Sequence, residues 1–355
     1  MAITNIAAAP LPVNYNLMRQ LLVTAKTRAP FFAGTNQAVL VKNAGTLSVK
    51  WERIENLNAV TTPLSELTGA ESYPTRTSTQ PTITPITATM QKYGDFIAIT
   101  EDLDVSTVNA RASKFMDTLG EQVGKSYNMI LAAAYAAGFT GTSIRYGGGV
   151  AGVTSIVTAM SSTDEEYAQN FVDRNGGQTF YPMSTGSTNI NTSPVRASFM
   201  GICHVDVEID IRRIPGFVPV EQYGSQTQTY PGEFGISHGV RWCSTQTSSL
   251  ITAGAATTSA AGFRGTSNIL NDVYDSYVIG MDAVGTVGLG EAHTREAYVT
   301  GDRIPAVQVI SKAMGSAGTA DPLDEIATVG WKGWLVGKVL NANFGVRIRT
   351  LASAL

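Results

Sequence analysis

The sequence predicts a mixed α+β fold with a projecting arm, and three observations predict it. One stripe of apolar residues at helical spacing runs from about Ser106 to Gly138. Several short runs rich in apolar and β-branched residues, bounded by Gly, Pro, Asn and Ser, read as strands. The third observation is the stretch from Thr46 to Thr100, about fifty residues with two strand-like runs around a Thr/Ser/Pro-rich excursion and too few large apolar side chains to build a core. The 355 residues, 43% of them hydrophobic, suffice for two compact lobes with projecting segments.

In order along the chain, Asn16 to Leu22 carries apolar residues at helical spacing and stops before Pro30, which reads as a short helix inside an arm. Leu47-Ser48-Val49-Lys50-Trp51-Glu52 alternates apolar and polar side chains, as a half-buried strand does. Thr82 to Thr100, dense in Thr and Ile and ending in Phe96-Ile97-Ala98-Ile99, reads as the returning strand of a long hairpin. The connection, Asn56 to Pro81, exceeds the usual hairpin loop and contains Pro63, Pro74 and Pro81. Such an arm finds its partner in another subunit.

The helical stripe then places Val108, Ala112, Phe115, Leu119, Val123, Tyr127, Ile130 and Ala134 on one face, with Gly138 as the stop. Gly120 and Gly124, four apart, permit close approach of another backbone there. A glycine-rich patch, Tyr146 to Gly152, precedes an expected helix at Val153 to Met160 and a polar stretch to Pro194, where a domain boundary is expected. Ser198 to Cys203 and Tyr274 to Met281 read as buried strands, Ile214 to Gly239 as loop or short strands, and Val329 to Arg349 as a final strand-like region.

Composition narrows the function. Charged residues are only 15% of the chain, against about 25% in typical soluble domains, so much of the surface is expected to lie between subunits. Lys plus Arg number 25 and Asp plus Glu 28, and no charged side chain precedes Arg19, so the chain lacks the basic arm that neutralises phosphate. Cys203 and Cys243 stand alone, without the spacing of a zinc site or a disulfide framework. The most apolar run, Leu131 to Phe139, is far short of a bilayer span, and the first residues lack the basic start of a secretory signal. A protein made and kept inside a cell, without a membrane, is expected.

Catalytic and cofactor chemistry finds little support. Gly147 to Gly152 fits Gly-x-Gly-x-x-Gly but follows a helix, not a strand, so a tight turn is expected. His204, Asp206, Glu208 and Asp210 alternate and would share one face of a strand as a hard-metal cluster; a solvated face, or a helix that scatters them, are the plainer readings. His204, His238 and His293 are far apart, with no nucleophile elbow or Cys/His pair beside them. Trp331 and Trp334, three apart, cannot share one side of a strand, which makes one core and the other interface. No catalytic, cofactor-binding or metal residue is assigned, and no cofactor.

Several segments in order resemble the major capsid proteins of tailed double-stranded DNA bacteriophages, specifically the N4-like family. They are Lys42-Asn43-Ala44-Gly45-Thr46-Leu47-Ser48-Val49-Lys50-Trp51, Thr61-Thr62-Pro63-Leu64 and Tyr93-Gly94-Asp95-Phe96. Downstream come Gly232-Glu233-Phe234-Gly235-Ile236 with Gly239-Val240-Arg241-Trp242, then Asp321-Pro322-Leu323 with Val329-Gly330-Trp331-Lys332 and Val339-Leu340-Asn341. The likeness spans about residues 15 to 350.

The resemblance implies an HK97-type capsid fold. Residues 1–45 would be an N-terminal arm, 46–100 an extended β-hairpin loop over a neighbouring subunit, and 101–150 a peripheral domain with a long spine helix. Residues 151–305 would form an axial domain and 306–355 a return to the peripheral domain. It implies a structural, non-enzymatic shell protein of hexamers and pentamers that encloses double-stranded DNA without sequence-specific contacts, assembled in the host cytoplasm and ending in the virion. A portal, a separate scaffolding protein and possible decoration proteins would be its partners. Contacts between subunits are expected at Lys50, Trp51, Thr61, Pro63, Leu64, Tyr93, Phe96, Glu233, Trp331 and Lys332. Some shell proteins join such a lysine to an asparagine, but on its residues alone Lys50 reads as solvated on a strand's polar face. A nanocompartment (encapsulin-like) shell around a cargo enzyme is the alternative on the same fold.

Overall fold

A computed structural model describes residues 30–40, 47–55, 57–61, 79–102, 111–180, 196–223, 232–247, 250–251, 262–265, 271–289, 299–301, 304–316 and 322–354. The expected helix at 16–22, the start of the long helix before 111, Pro63, Leu64 and His293 lie outside the described residues.

In chain order the strands are β1 (Asn36–Leu40), β2 (Ser48–Ile54), β3 (Ile83–Thr89), β4 (Gln91–Thr100), β5 (Ile144–Tyr146), β6 (Phe199–His204), β7 (Val218–Pro219) and β8 (Glu233–Ser237). They continue as β9 (Val240–Thr245), β10 (Leu250–Ile251), β11 (Val273–Ile279), β12 (Val284–Leu289), β13 (Val299–Gly301), β14 (Ile304–Lys312), β15 (Ile326–Val339) and β16 (Gly345–Thr350). The α-helices are α1 (Pro30–Ala33), α2 (Arg111–Gly138), α3 (Ser162–Arg174) and α4 (Val205–Arg212).

Three sheets result. The first runs β1-β12-β15-β14-β13 with β4 also on β15; the second runs β5-β16-β11-β6-β9-β8-β7 with β10 on β11; the third is β2-β3 alone. The 28 residues of α2 span ~42 Å at the helical rise. Leu119, Val123, Tyr127, Leu131 and Tyr135, each four after the last, lie buried with Phe139 just beyond the helix. The stripe therefore follows 131 and 135, where the sequence pointed to 130 and 134: repeated steps of four drift around a 3.6-residue helix, which carries the contact from one sheet to the other.

Toward the first sheet, Tyr127 meets Trp331 edge-on with centroids 6.0 Å apart. Toward the second, Tyr135 packs edge-on against Phe31 of α1 and Tyr277 of β11 at 5.1 and 5.5 Å. Asn128, fully buried, binds the chain on both sides: its Oδ1 accepts from the Phe31 N–H at 3.2 Å and its Nδ2 donates to Thr245 Oγ1 at 2.9 Å.

The second sheet is covered on its other face too, by α3 and α4, through Ala168, Val172, Val207 and Ile211 against Phe199, Trp242, Val278 and Ile348. Burial on both faces explains why β11 is buried at every position instead of alternating. Gly201 of β6 sits opposite Trp242 of β9, and a Cβ on it would stand 2.5 Å from the indole. Gly201→Val should therefore lower stability by about 1–3 kcal/mol through overpacking, read as a fall in the urea midpoint at unchanged slope.

Four expectations are corrected. The single strand from Thr82 to Thr100 is two: after β3 the chain passes the buried Met90, and β4 joins β15 of its own subunit from Ile326↔Thr100 to Leu335↔Gln91. The helix expected at Val153 to Met160 is only a 3-10 turn at Val153–Ser155, and the helix comes later as α3. The glycine patch follows the short strand β5, not a helix. The final strand-like region is two strands, β15 in the first sheet and β16 in the second.

Candidate assembly surface

The hairpin of β2 and β3 pairs Ser48↔Thr89 through Ile54↔Ile83 and alternates in exposure along both strands. Val49, Trp51, Arg53, Thr84, Ile86 and Ala88 form its half-buried inner face. Trp51 lies over Gly285 of β12, where a Cβ would come within 3.1 Å of its ring. Arg53 Nη1 donates to the Leu340 carbonyl at 3.2 Å, while its Nε donates to Glu55 Oε1 at 2.8 Å. Between this face and the body lies a cleft of about 500 Å³, lined among others by Trp51, Arg53, Glu55, Ile86 and Leu340. The hairpin therefore leans on its own subunit along one face.

The outer face has no such support. Ile54 and Ile83, directly paired, are 66% and 52% exposed, and beyond them Leu57 and Val60 are 57% and 85% exposed. Lys50 and Glu52 pair at 3.4 Å with both side chains more than half in solvent, which contributes little. Four large aliphatic side chains thus stand open to solvent at and beyond one end of a two-stranded ribbon.

The remaining expected contact residues divide. Thr61 is exposed next to Val60. Phe96 of β4 is 67% exposed, opposite Gly330 of β15. Tyr93 and Lys332 are half-buried, and Tyr93 donates to Gln91 Oε1 at 3.0 Å. Glu233 and Trp331, at 1% and 4% exposure, are buried within the described part of the subunit. Trp331 donates from Nε1 to Gln122 Oε1 at 3.2 Å, and Gln122 Nε2 donates to Asp95 Oδ2 at 2.6 Å. The Gln122 bond, and then the Phe96 N–H, hold the Asp95 carboxyl below its ordinary value. Trp334, on the opposite side of β15, is half-buried.

The residues behind the chemical alternatives have partners within the chain. His204, Asp206, Glu208 and Asp210 are not on a strand face; His204 caps α4, its Nδ1 accepting from the Asp206 N–H at 3.1 Å. Asp206 accepts from Arg264 Nη1 at 2.7 Å and from the Tyr274 hydroxyl at 2.9 Å. Glu208 pairs with Arg212 at 2.6 Å, and Asp210 accepts from the Ser353 hydroxyl at 2.6 Å. Among the described residues no group of three or more His, Cys, Asp or Glu is placed to hold a metal. In the glycine patch Gly148 and Gly149 adopt φ of 69° and 76°, a turn, and the Gly148 N–H faces Asp164 Oδ2 at 3.4 Å. A carboxylate of the chain itself occupies the place a phosphate would need. Among the described residues no helix is long and apolar enough to cross a membrane.

No family model matches the chain, and no curated protein does so in sequence. Solved structures match along almost its whole length. The capsid of Ralstonia phage GP4 superposes with a TM-score of 0.63 at 11% identity, over 91% of this chain and 88% of that one. The acidic stable capsid of Helicobacter pylori bacteriophage KHP30 gives 0.54 at 10% identity over 91% of each chain. The head of Helicobacter pylori bacteriophage KHP40 gives 0.53 at 10% over 92% and 91%. The mixed α+β fold of this chain is thus the fold of phage capsid proteins.

Proposed function

We propose that this chain is a major capsid protein of a tailed bacteriophage, a structural and not a catalytic subunit, closing as hexamers and pentamers into an icosahedral head around double-stranded DNA. The observation that carries it is the outer face of the β2–β3 hairpin, whose Ile54 and Ile83 stand more than half exposed on a chain with the capsid fold. A neighbouring subunit is the natural cover for that face. Each such contact is modest, but many per subunit act together through effective concentration, so a shell holds although no single pair is tight. The N4-like assignment rests on the ordered motifs from Lys42 to Asn341. On this reading residues 46–100 are the extended loop, α2 is the spine helix of a peripheral domain, a portal and a scaffolding protein are partners, and assembly takes place in the host cytoplasm.

The test is electron microscopy of the chain expressed with and without a scaffolding protein. Closed particles of phage-head size are expected. Small DNA-free particles around a cargo protein would favour a nanocompartment, and a monodisperse monomer at every concentration would overturn both. Deleting residues 56–80, which form no strand among the described positions, should leave a folded chain that forms no closed particles; wild-type shells from it would refute the arm's role.

A further inference from the structure

Glu165 and His238 meet where α3 packs on the turn between β8 and β9. Glu165 lies in the first turn of α3 with its side chain fully buried. His238 begins the two-residue turn between β8 and β9, with φ of 42°, followed by Gly239 at 74°. Such a turn suits the twist of the two strands, yet a left-handed histidine is uncommon and needs something to hold it. The hold is visible: His238 Nδ1 lies 3.0 Å from Glu165 Oε2, and Nε2 lies 3.5 Å from Glu166 Oε1. The turn also presses on the helix at Gly239, where a Cβ would stand 2.9 Å from Gln169 Nε2.

We propose that Glu165 and His238 form a proton-held clasp: one proton kept between them fastens α3 to the β8–β9 turn, and its loss as pH rises lets helix and turn part. With that proton present, the pair is either imidazolium against carboxylate or imidazole against carboxylic acid, joined at Nδ1 and Oε2 in both cases. Without it a carboxylate stays in a closed site with only the neutral donors of His238, Ser237 and Trp242, while the bare Nε2 faces the Glu166 carboxylate.

The other groups around the pair do not replace the proton. Asp164, next to Glu165, is already bound by Arg145 Nε at 3.0 Å and by the Ser161 hydroxyl at 2.6 Å. From β6 the Cys203 thiol faces the site, pushed up by burial and further by Glu208, Cys243 and Glu165. Trp242 Nε1 donates to Ser237 Oγ at 3.0 Å, and both belong to uncharged neighbours. Burial raises the Glu165 pKa, and hydrogen bonds with Ser237, His238 and Trp242, with the electrostatic pull of His238, bring it back only in part. A folded value above the unfolded 4.5 gives a contribution that is complete below that pH and declines as pH rises through the folded value.

Urea unfolding of the full chain from about pH 5 to about pH 9 tests the clasp. Wild type should lose roughly tenfold in its folding constant for each pH unit by which the carboxyl is raised, whereas Glu165→Gln, which keeps its shape without titrating, should lack that loss. Parallel curves for the two proteins would overturn the clasp. Should Glu165→Gln not fold, hydrogen exchange of the wild type decides: selective loss of protection in residues 162–174 and 237–240 as pH rises supports it, and uniform loss overturns it.

Discussion

Replacing Asp275 by alanine should destabilise the subunit by about 3–5 kcal/mol, a large part of the roughly 5–15 kcal/mol that holds a domain together. Asp275 of β11 is fully buried and faces Arg349 of β16 directly across the ladder. Its Oδ1 accepts from Arg349 Nε at 3.1 Å, and its Oδ2 accepts from Arg347 Nη2. Arg347, 7% exposed, donates its other nitrogen Nη1 to the Ala136 carbonyl at 3.0 Å, in the last turn of α2. One carboxylate thus balances two guanidiniums and, through one of them, ties the long helix to the second sheet. Burial works most strongly against the charge on Arg347, and the bond to Asp275 together with the electrostatic pull of Tyr277, Asp275 and Tyr146 more than offsets it.

Without Asp275 both cations remain inside the protein with no counter-charge, and the cost is that of stranding them, not of one hydrogen bond. Glu52→Ala is the control, because its pair with Lys50 is solvent-exposed and should change stability by less than about 0.5 kcal/mol. Urea unfolding followed by tryptophan fluorescence reads both. An Asp275→Ala loss no larger than the Glu52→Ala loss would show that the cations find other partners or leave.

Parts of this architecture are legible in the residues and parts are not, for physical reasons. The period of α2 and the alternation of β2 are local properties of the chain, so they show in the sequence. The partner of β4 is not local: its ladder to β15 joins positions more than two hundred residues apart, and nothing in Gln91 to Thr100 names Ile326 to Leu335. The apolar ending Phe96 to Ile99 and the length of the presumed strand were the available signals that part of it belongs to the body.

In α4 a local rule misled. Val-Asp-Val-Glu-Ile-Asp-Ile-Arg alternates as a strand does, yet it is a helix. The end signals outweigh the period there: His204 caps, Asp206 and Glu208 face the positive N-terminal end, and Arg212 closes an i,i+4 pair with Glu208. A strand reading puts four polar groups on one face and suggests a metal, whereas in the helix Asp206, Glu208 and Asp210 turn to Arg264, Arg212 and Ser353 and His204 caps the first turn. For α3 the acidic residues Asp164 and Glu165 shortly after Ser161 carried the same kind of start signal. The buried pairings of Asp275 with Arg347 and of Glu165 with His238 left no trace in the sequence, because the partners lie 72 and 73 residues away.

Replacing both Ile54 and Ile83 by aspartate should abolish closed particles while leaving the subunit folded. The two side chains are direct cross-strand partners on the hairpin's outer face, 66% and 52% exposed, so the isolated chain loses little burial and its urea midpoint should shift by less than about 0.5 kcal/mol. Covered by a neighbour, each isoleucine contributes up to roughly 1.5–3 kcal/mol of apolar burial, and an aspartate in its place adds the cost of a desolvated charge. The change recurs at every subunit, so a deficit that a single dimer could tolerate multiplies around a closed surface. Ile54→Val with Ile83→Val keeps the apolar character and should keep the particles. Sedimentation and negative-stain imaging of the three proteins separate the outcomes. Full particle yield from the double aspartate chain would mean that the ribbon's open face meets solvent in the shell and that the contacts lie elsewhere on the subunit.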